Sequence, residues 1–245
     1  MKFNQNQSYS YAKTGQIDYH EGLRKYMLRV YNYMGLALAI TGLIAMFASS
    51  SPAFMQMMYN PMGGMTGLGW LIALAPIGFV MFLSFGLEKM QLQTAQMVFW
   101  GYAAVMGLSL SSLFLAYTGE SIARVFFITA SVFGGMSIYG YTTKKDLTKF
   151  GSFLMMGLFG VIIASLVNLF LKSSGLVFVT SLLGTFIFIG LVAYDTQRIK
   201  QLYFVLSGNP EGEAKSAILG ALTLYLDFIN IFIHLLQFLG QRRND

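Results

Sequence analysis

Residues 175–194 read GLVFVTSLLGTFIFIGLVAY, with no charged side chain among them. A helix needs about 20 mostly apolar residues to cross a bilayer, so this stretch predicts a membrane span. Six others have the same character: Tyr31–Ser49, Gly69–Leu87, Val98–Tyr117, Ala123–Tyr141, Phe153–Leu171 and Ala217–Gly240. The connections between them are mostly short, so consecutive helices should pack antiparallel. The expected fold is an all-α membrane protein, a seven-transmembrane-helix bundle. Residues 1–29 form a polar, Tyr-rich tail and residues 30–245 a single membrane domain.

Composition agrees. Of the 245 residues, 56% are hydrophobic and 11% charged, against roughly 25% charged in a soluble domain, and mean hydropathy is +0.60. There is no cysteine, which excludes disulfides, thiolate catalysis and Cys-ligated metals. The tail has no apolar run ahead of a small-residue cleavage site, so no cleaved signal peptide is expected. The net charge of +6 reads as topology rather than nucleic-acid binding. With the N-terminus inside, the inner segments hold Lys2, Lys13, Arg24, Lys25, Arg29, Lys89, Lys144, Lys145, Lys149, Arg198, Lys200 and Lys215, and the outer ones only Arg124, Lys172, Arg242 and Arg243. Basic residues mark cytoplasmic loops, which predicts a cytoplasmic N-terminus. The last segment is long enough to cross, yet Gln241-Arg242-Arg243 would favour the inner side. A re-entrant last segment therefore stays open.

Two aspartates stand out. Asp195 follows the quoted stretch directly, and Asp227 lies inside the last one, in Leu224-Tyr225-Leu226-Asp227-Phe228-Ile229-Asn230. A carboxylate at membrane depth costs a few kcal/mol or more, turns inward and usually serves a function. In alternating steps of four and three the last segment reads Ser216, Gly220, Thr223, Asp227, Asn230, His234, Gln237, Gln241. That spacing keeps them on one helix face. Such a seam is either a packing interface held by interhelical hydrogen bonds or the lining of a solvated ion path. If the sixth helix ends at Tyr194, Asp195 lies about 15 Å shallower than Asp227. If it continues to about Leu206, the carboxyls can meet, share one proton and titrate as a unit. Protonated, the pair would latch two helices; deprotonated, it would repel them and could bind a cation, its hard oxygens suiting Ca²⁺.

Three stretches together resemble the Bax inhibitor-1 family in its bacterial branch: Gly140-Tyr141-Thr142-Thr143-Lys144-Lys145-Asp146-Leu147, Tyr194-Asp195, and Leu224 through Asn230. Asn168, in Val167-Asn168-Leu169-Phe170, also fits. The resemblance runs from about residue 30 to the C-terminus. It implies six helices wrapped around a central last one and a pH-sensitive Ca²⁺ leak, with Asp195 and Asp227 as the proton-sensing gate and a transient calcium site. Asn230, His234 and Asn168 are candidate supporting polar groups. Some bacterial members add an acidic residue and an arginine on the second helix. Here Trp70 to Leu87 holds no Asp, Glu, Lys or Arg. Another bacterial relative is understood as a modulator of a membrane-anchored AAA protease, so the alternative function is a non-conducting regulator of other membrane proteins. Expected partners are the lipid bilayer, calcium ions and protons, with no nucleic acid and no resident cofactor. The expected location is a bacterial inner membrane.

No enzyme is expected. An intramembrane aspartyl protease would carry its second Asp after Gly-x-Gly, whereas Asp227 follows Leu224-Tyr225-Leu226. Gly107-Leu108-Ser109-Leu110 lacks the glycine of a rhomboid-type serine site. No span interior carries a lysine for retinal. Met55, Met57, Met58, Met62 and Met65 cluster in one loop, and thioethers bind Cu(I), but without His or Cys they read as an interfacial loop. Asp146 could pair with Lys144 or Lys145.

Overall fold

The quoted apolar stretch forms most of helix α7, Ser174–Leu206. In this computed structural model residues 5–60, 63–86, 89–206 and 208–243 are described, with side chains from residue 21 onward except 84 and 85. The other helices are α1 (Gln5–Ser49), α2 (Pro52–Met58), α3 (Gly67–Gly86), α4 (Leu92–Ala116), α5 (Gly119–Thr142), α6 (Thr148–Leu171) and α8 (Pro210–Leu239). Among the described residues β structure is limited to two isolated antiparallel bridges, Tyr59–Met65 and Tyr117–Arg242. Six helices are long and apolar enough to cross a membrane: α1 from Glu21, then α4, α5, α6, α7 and α8. The described apolar part of α3, Gly67–Leu83, is shorter and contains Pro76.

No break occurs at residue 30, because α1 is continuous from Gln5. Helix α7 runs well past Tyr194. Ile199 and Tyr203, four apart, continue its buried face, the helix reaches Leu206, and Gly208 takes a φ of +97°. Asn209 then caps α8, its Oδ1 accepting from the Gly212 N–H at 3.0 Å, and Pro210 begins the helix, where its fixed φ suits the first turn. The tight turn makes α7 and α8 an antiparallel pair.

One end of the bundle gathers the first described side chains of α1, the end of α7 and the start of α8. The Tyr26 and Tyr203 rings lie 5.3 Å apart, and the Tyr26 hydroxyl bonds Ser216 Oγ at 3.1 Å. The α5–α6 turn is here too, tied to Gln197. Arg24, Lys25, Lys144, Lys145, Lys149, Arg198, Lys200 and Lys215 make this the basic end. At the opposite end the C-terminal segment pairs with the α4–α5 turn: Thr118 N–H donates to Gln241 O at 3.1 Å, and Arg243 N–H to Ala116 O at 3.0 Å. Helix α8 therefore runs from one end of the bundle to the other without doubling back.

Position follows side-chain character. Helix α8 packs against α1, α4, α5 and α7, and 72% of its apolar window is buried, against 11% for α6. Leu224, Tyr225, Ile231 and Leu236 of α8 are fully enclosed, whereas α6 turns Phe153, Met156, Phe159 and Phe170 outward. Lipid is as apolar as leucine, so membrane helices associate through close packing and hydrogen bonds. Gly140 of α5 provides such an approach: an added methyl there would run into the Ala193 backbone of α7.

Candidate functional site

The segment from Ala193 to Gln197 is enclosed on all sides. Gly140 of α5 lies on the Ala193 backbone, and Gly151 of α6 lies under the Tyr194 ring. Thr196 Oγ1 bonds Ser137 Oγ of α5 at 3.1 Å, and Ser137 in turn bonds the Tyr31 hydroxyl of α1. Gln197 Oε1 accepts from the Leu147 N–H at 2.9 Å, while its Nε2 donates to Lys145 O at 2.8 Å. Asp195, Thr196 and Gln197 are consequently all buried. Helix α8 closes the remaining side, with Asp227 itself 4% exposed.

Asp195 of α7 and Asp227 of α8 lie on helices that pack against each other, near enough for their charges to act on one another. Among the described residues, the buried Oδ2 of Asp227 has no hydrogen-bond partner. The Arg198 guanidinium, three residues along α7, acts on Asp195 through space. Its own side chain is exposed.

The seam of α8 faces α7 in antiparallel register. Gly220 meets Ile199, and His234 meets Gly184 and stacks on Phe188 at 5.9 Å between ring centres. Gln237 Oε1 accepts from Ser181 Oγ at 2.7 Å. In this conformation the seam is a packing interface; as an ion path it would require α7 and α8 to part. Asn230 lies one turn beyond Asp227, with its amide donating to Leu226 O at 2.8 Å. His234 lies about 10 Å along the helix from Asp227, and its buried Nδ1 has no partner among the described residues.

Asn168 is not with the aspartates. Its Oδ1 accepts from the Ser173 N–H at 2.9 Å at the α6–α7 turn, about 25 Å by helical rise from Gly151, which lies level with Tyr194. Its side chain satisfies the helix end that the turn leaves open, which places it at the opposite end of α6. Asp146 pairs with neither lysine: its Oδ1 accepts from Thr148 Oγ1 at 2.6 Å and from Thr148 N–H at 2.9 Å. The methionine loop does not converge, since Met57 is exposed and Met58 fully buried. Met62 lies outside the described residues.

Two carboxyls alone are a sparse cation site. Ca²⁺ takes six to eight oxygens, and the described residues contain no group of three or more His, Asp or Glu.

A family model described as "Inhibitor of apoptosis-promoting Bax1" matches residues 23–244. The chain belongs to the Bax inhibitor-1 family. It is 55% identical over 226 residues to the Rickettsia prowazekii protein RP147, covering 92% of this chain and 93% of that one. It is 45% identical to a Caulobacter vibrioides protein, covering 95% and 94%. It is 43% identical to the Escherichia coli "Inner membrane protein YbhL", covering 91% and 94%. This Bax inhibitor-1 family chain is thus a multi-pass membrane protein, in line with its long apolar helices. Sequence reasoning counted Arg198 only as a topology charge and overlooked Gln197, Ser137, Thr196 and Tyr31. For Thr196, Gln197 and Arg198 the signal was their position within one turn of Asp195 on a continuing helix; Ser137 and Tyr31, on other helices, carried none.

Proposed function

We propose that this chain is a seven-span protein of a bacterial inner membrane, N-terminus cytoplasmic and last helix central, that leaks Ca²⁺ under pH control. Asp195 and Asp227 are its sensor. The observation that carries this reading is the enclosed carboxyl pair across the α7–α8 interface. A shared proton joins the helices. Its loss leaves two like charges in a poorly solvated place, where they repel and draw a cation between the separating helices. Arg198 is the nearby cation that this chain offers in place of an arginine on the second span. The bacterial inner membrane follows from the resemblance to YbhL.

The test is Ca²⁺ entry into liposomes holding the full chain, measured across pH with a trapped indicator. Wild type should show pH-dependent entry. Asp195→Asn and Asp227→Asn should flatten that dependence. Entry and pH profile identical in all three proteins would sink the channel reading. The packed seam favours a second reading, a non-conducting regulator that binds other membrane proteins such as a membrane-anchored AAA protease. Absence of flux together with co-purification of such a protease would select it.

A further inference from the structure

Helices α1 and α5 do not pack against one another over most of their length. A crevice separates them, with about 680 Å³ of open space at the basic end and about 670 Å³ further along. Glycines on both walls keep it open: Gly35 and Gly42 of α1 and Gly134 of α5 line it, and none has a heavy atom within 4 Å of where a Cβ would sit. Small residues usually bring membrane helices together, whereas these three leave room instead. Leu28, Phe133 and Ile138 give the walls apolar surface, which the hydroxyls of Tyr31 and Ser137 interrupt at one level.

The mouth is basic. Arg24 lines it beside Tyr141, and Lys200 Nζ donates to Tyr141 O at 2.8 Å and lies 5.0 Å from the centre of its ring. Glu21, which lies near Arg24, is engaged by Lys25 at 2.8 Å. From Arg24 to Gly35 is about 16 Å of helix, close to the depth of one leaflet of a hydrocarbon core about 30 Å thick. A cation at headgroup level above an apolar slot one leaflet deep matches a phospholipid: anionic headgroup at Arg24, one acyl chain between α1 and α5.

We propose that the α1–α5 crevice is a binding site for an anionic phospholipid. The lipid would lie beside the Tyr31–Ser137–Thr196 hydroxyl chain, which ends next to Asp195. The site does not depend on whether the protein conducts calcium.

Native mass spectrometry of the full chain in detergent, with equal amounts of palmitoyl-oleoyl phosphatidylglycerol and phosphatidylcholine added, tests it. Wild type should retain phosphatidylglycerol at least about fivefold better, the expectation for one basic residue at a lipid surface. Arg24→Gln, at an exposed position, should bring the two lipids to near parity. Gly134→Leu, at a position with open space around its Cβ, puts a side chain into the slot and should lower retention of both. Gly160→Leu, in an apolar groove between α6 and α7 that has no cation, should behave as wild type. Equal retention by wild type would overturn the proposal, as would a preference that survives both Arg24→Gln and Gly134→Leu. A dimer that excludes lipid would also overturn it and make the crevice an interface between copies.

Discussion

Gln197 of α7 accepts a hydrogen bond from the backbone N–H of Leu147, 50 positions away, at 2.9 Å. With its amide donating to Lys145 O, it holds the α5–α6 turn against the same turn of α7 that carries Asp195. Gln197→Ala leaves a buried N–H and a carbonyl without partners, which costs about 1–3 kcal/mol. The variant should unfold at lower temperature in detergent and be cut faster by trypsin at Lys144 and Lys145. Unchanged cleavage would show that the turn is held by other contacts.

Gly140 and Gly135 sit five residues apart on α5 with opposite surroundings. A methyl at Gly140 meets the Ala193 backbone, and one at Gly135 meets nothing within 4 Å. Gly140→Ala should destabilise by about 1–3 kcal/mol through overpacking. Gly135→Ala should be neutral or stabilise by up to about 1 kcal/mol, the helix preference of alanine over glycine. Thermal unfolding of the two variants side by side decides; equal melting temperatures would contradict the close approach of α5 and α7.

Thr41 Oγ1 donates to Ala103 O at 2.9 Å and lies 2.7 Å from the Tyr225 hydroxyl, which must therefore donate to it. Tyr225→Phe removes one bond and should cost about 0.5–1.5 kcal/mol. Thr41→Val strands a buried phenol, while Ala103 O, inside α4, keeps its helical bond, and should cost more, about 1–3 kcal/mol. The reverse order in melting temperature would mean that the phenol finds another acceptor.

Asp146 links pH to the start of α6. The Thr148 hydroxyl, and then its backbone N–H, hold the Asp146 carboxyl below its ordinary value. A depressed carboxylate contributes stability above its unfolded value of about 3.9, and that contribution fades as pH falls through the lower folded value. Hydrogen exchange in the first turn of α6, corrected for intrinsic rates, should therefore be faster in Asp146→Ala than in wild type at pH 7. The difference should shrink toward pH 3. A difference that persists undiminished at pH 3 would assign the effect to something other than the carboxylate.

Much of the architecture was legible because membrane insertion is read locally. Each charge-free apolar run is a helix whatever its neighbours do, and the 4-3 polar stripe of α8 stays on one face in any packing. The α7 boundary was harder. Hydropathy drops at Asp195, Arg198 and Lys200, but backbone hydrogen bonding does not follow hydropathy, and the helix lasts until Gly208 and Pro210 interrupt it. Asn168 misled because a polar residue near the end of an apolar run reads the same whether it faces the core or caps the helix.

The sequence by itself determined that this chain is helical and lies in a membrane, and that Asp227 belongs to a polar face, because these are properties of single segments. The partner of that face was decided by tertiary structure alone. The α7–α8 hairpin aligns Gly220, Asp227, His234 and Gln237 with Ile199, Asp195, Gly184 and Ser181. The same holds for the glycines. Gly140 and Gly184 bring helices together, while Gly35, Gly42 and Gly134 keep two apart. In sequence they are the same residue in similar apolar surroundings; what stands opposite each is fixed only when long helices pack side by side.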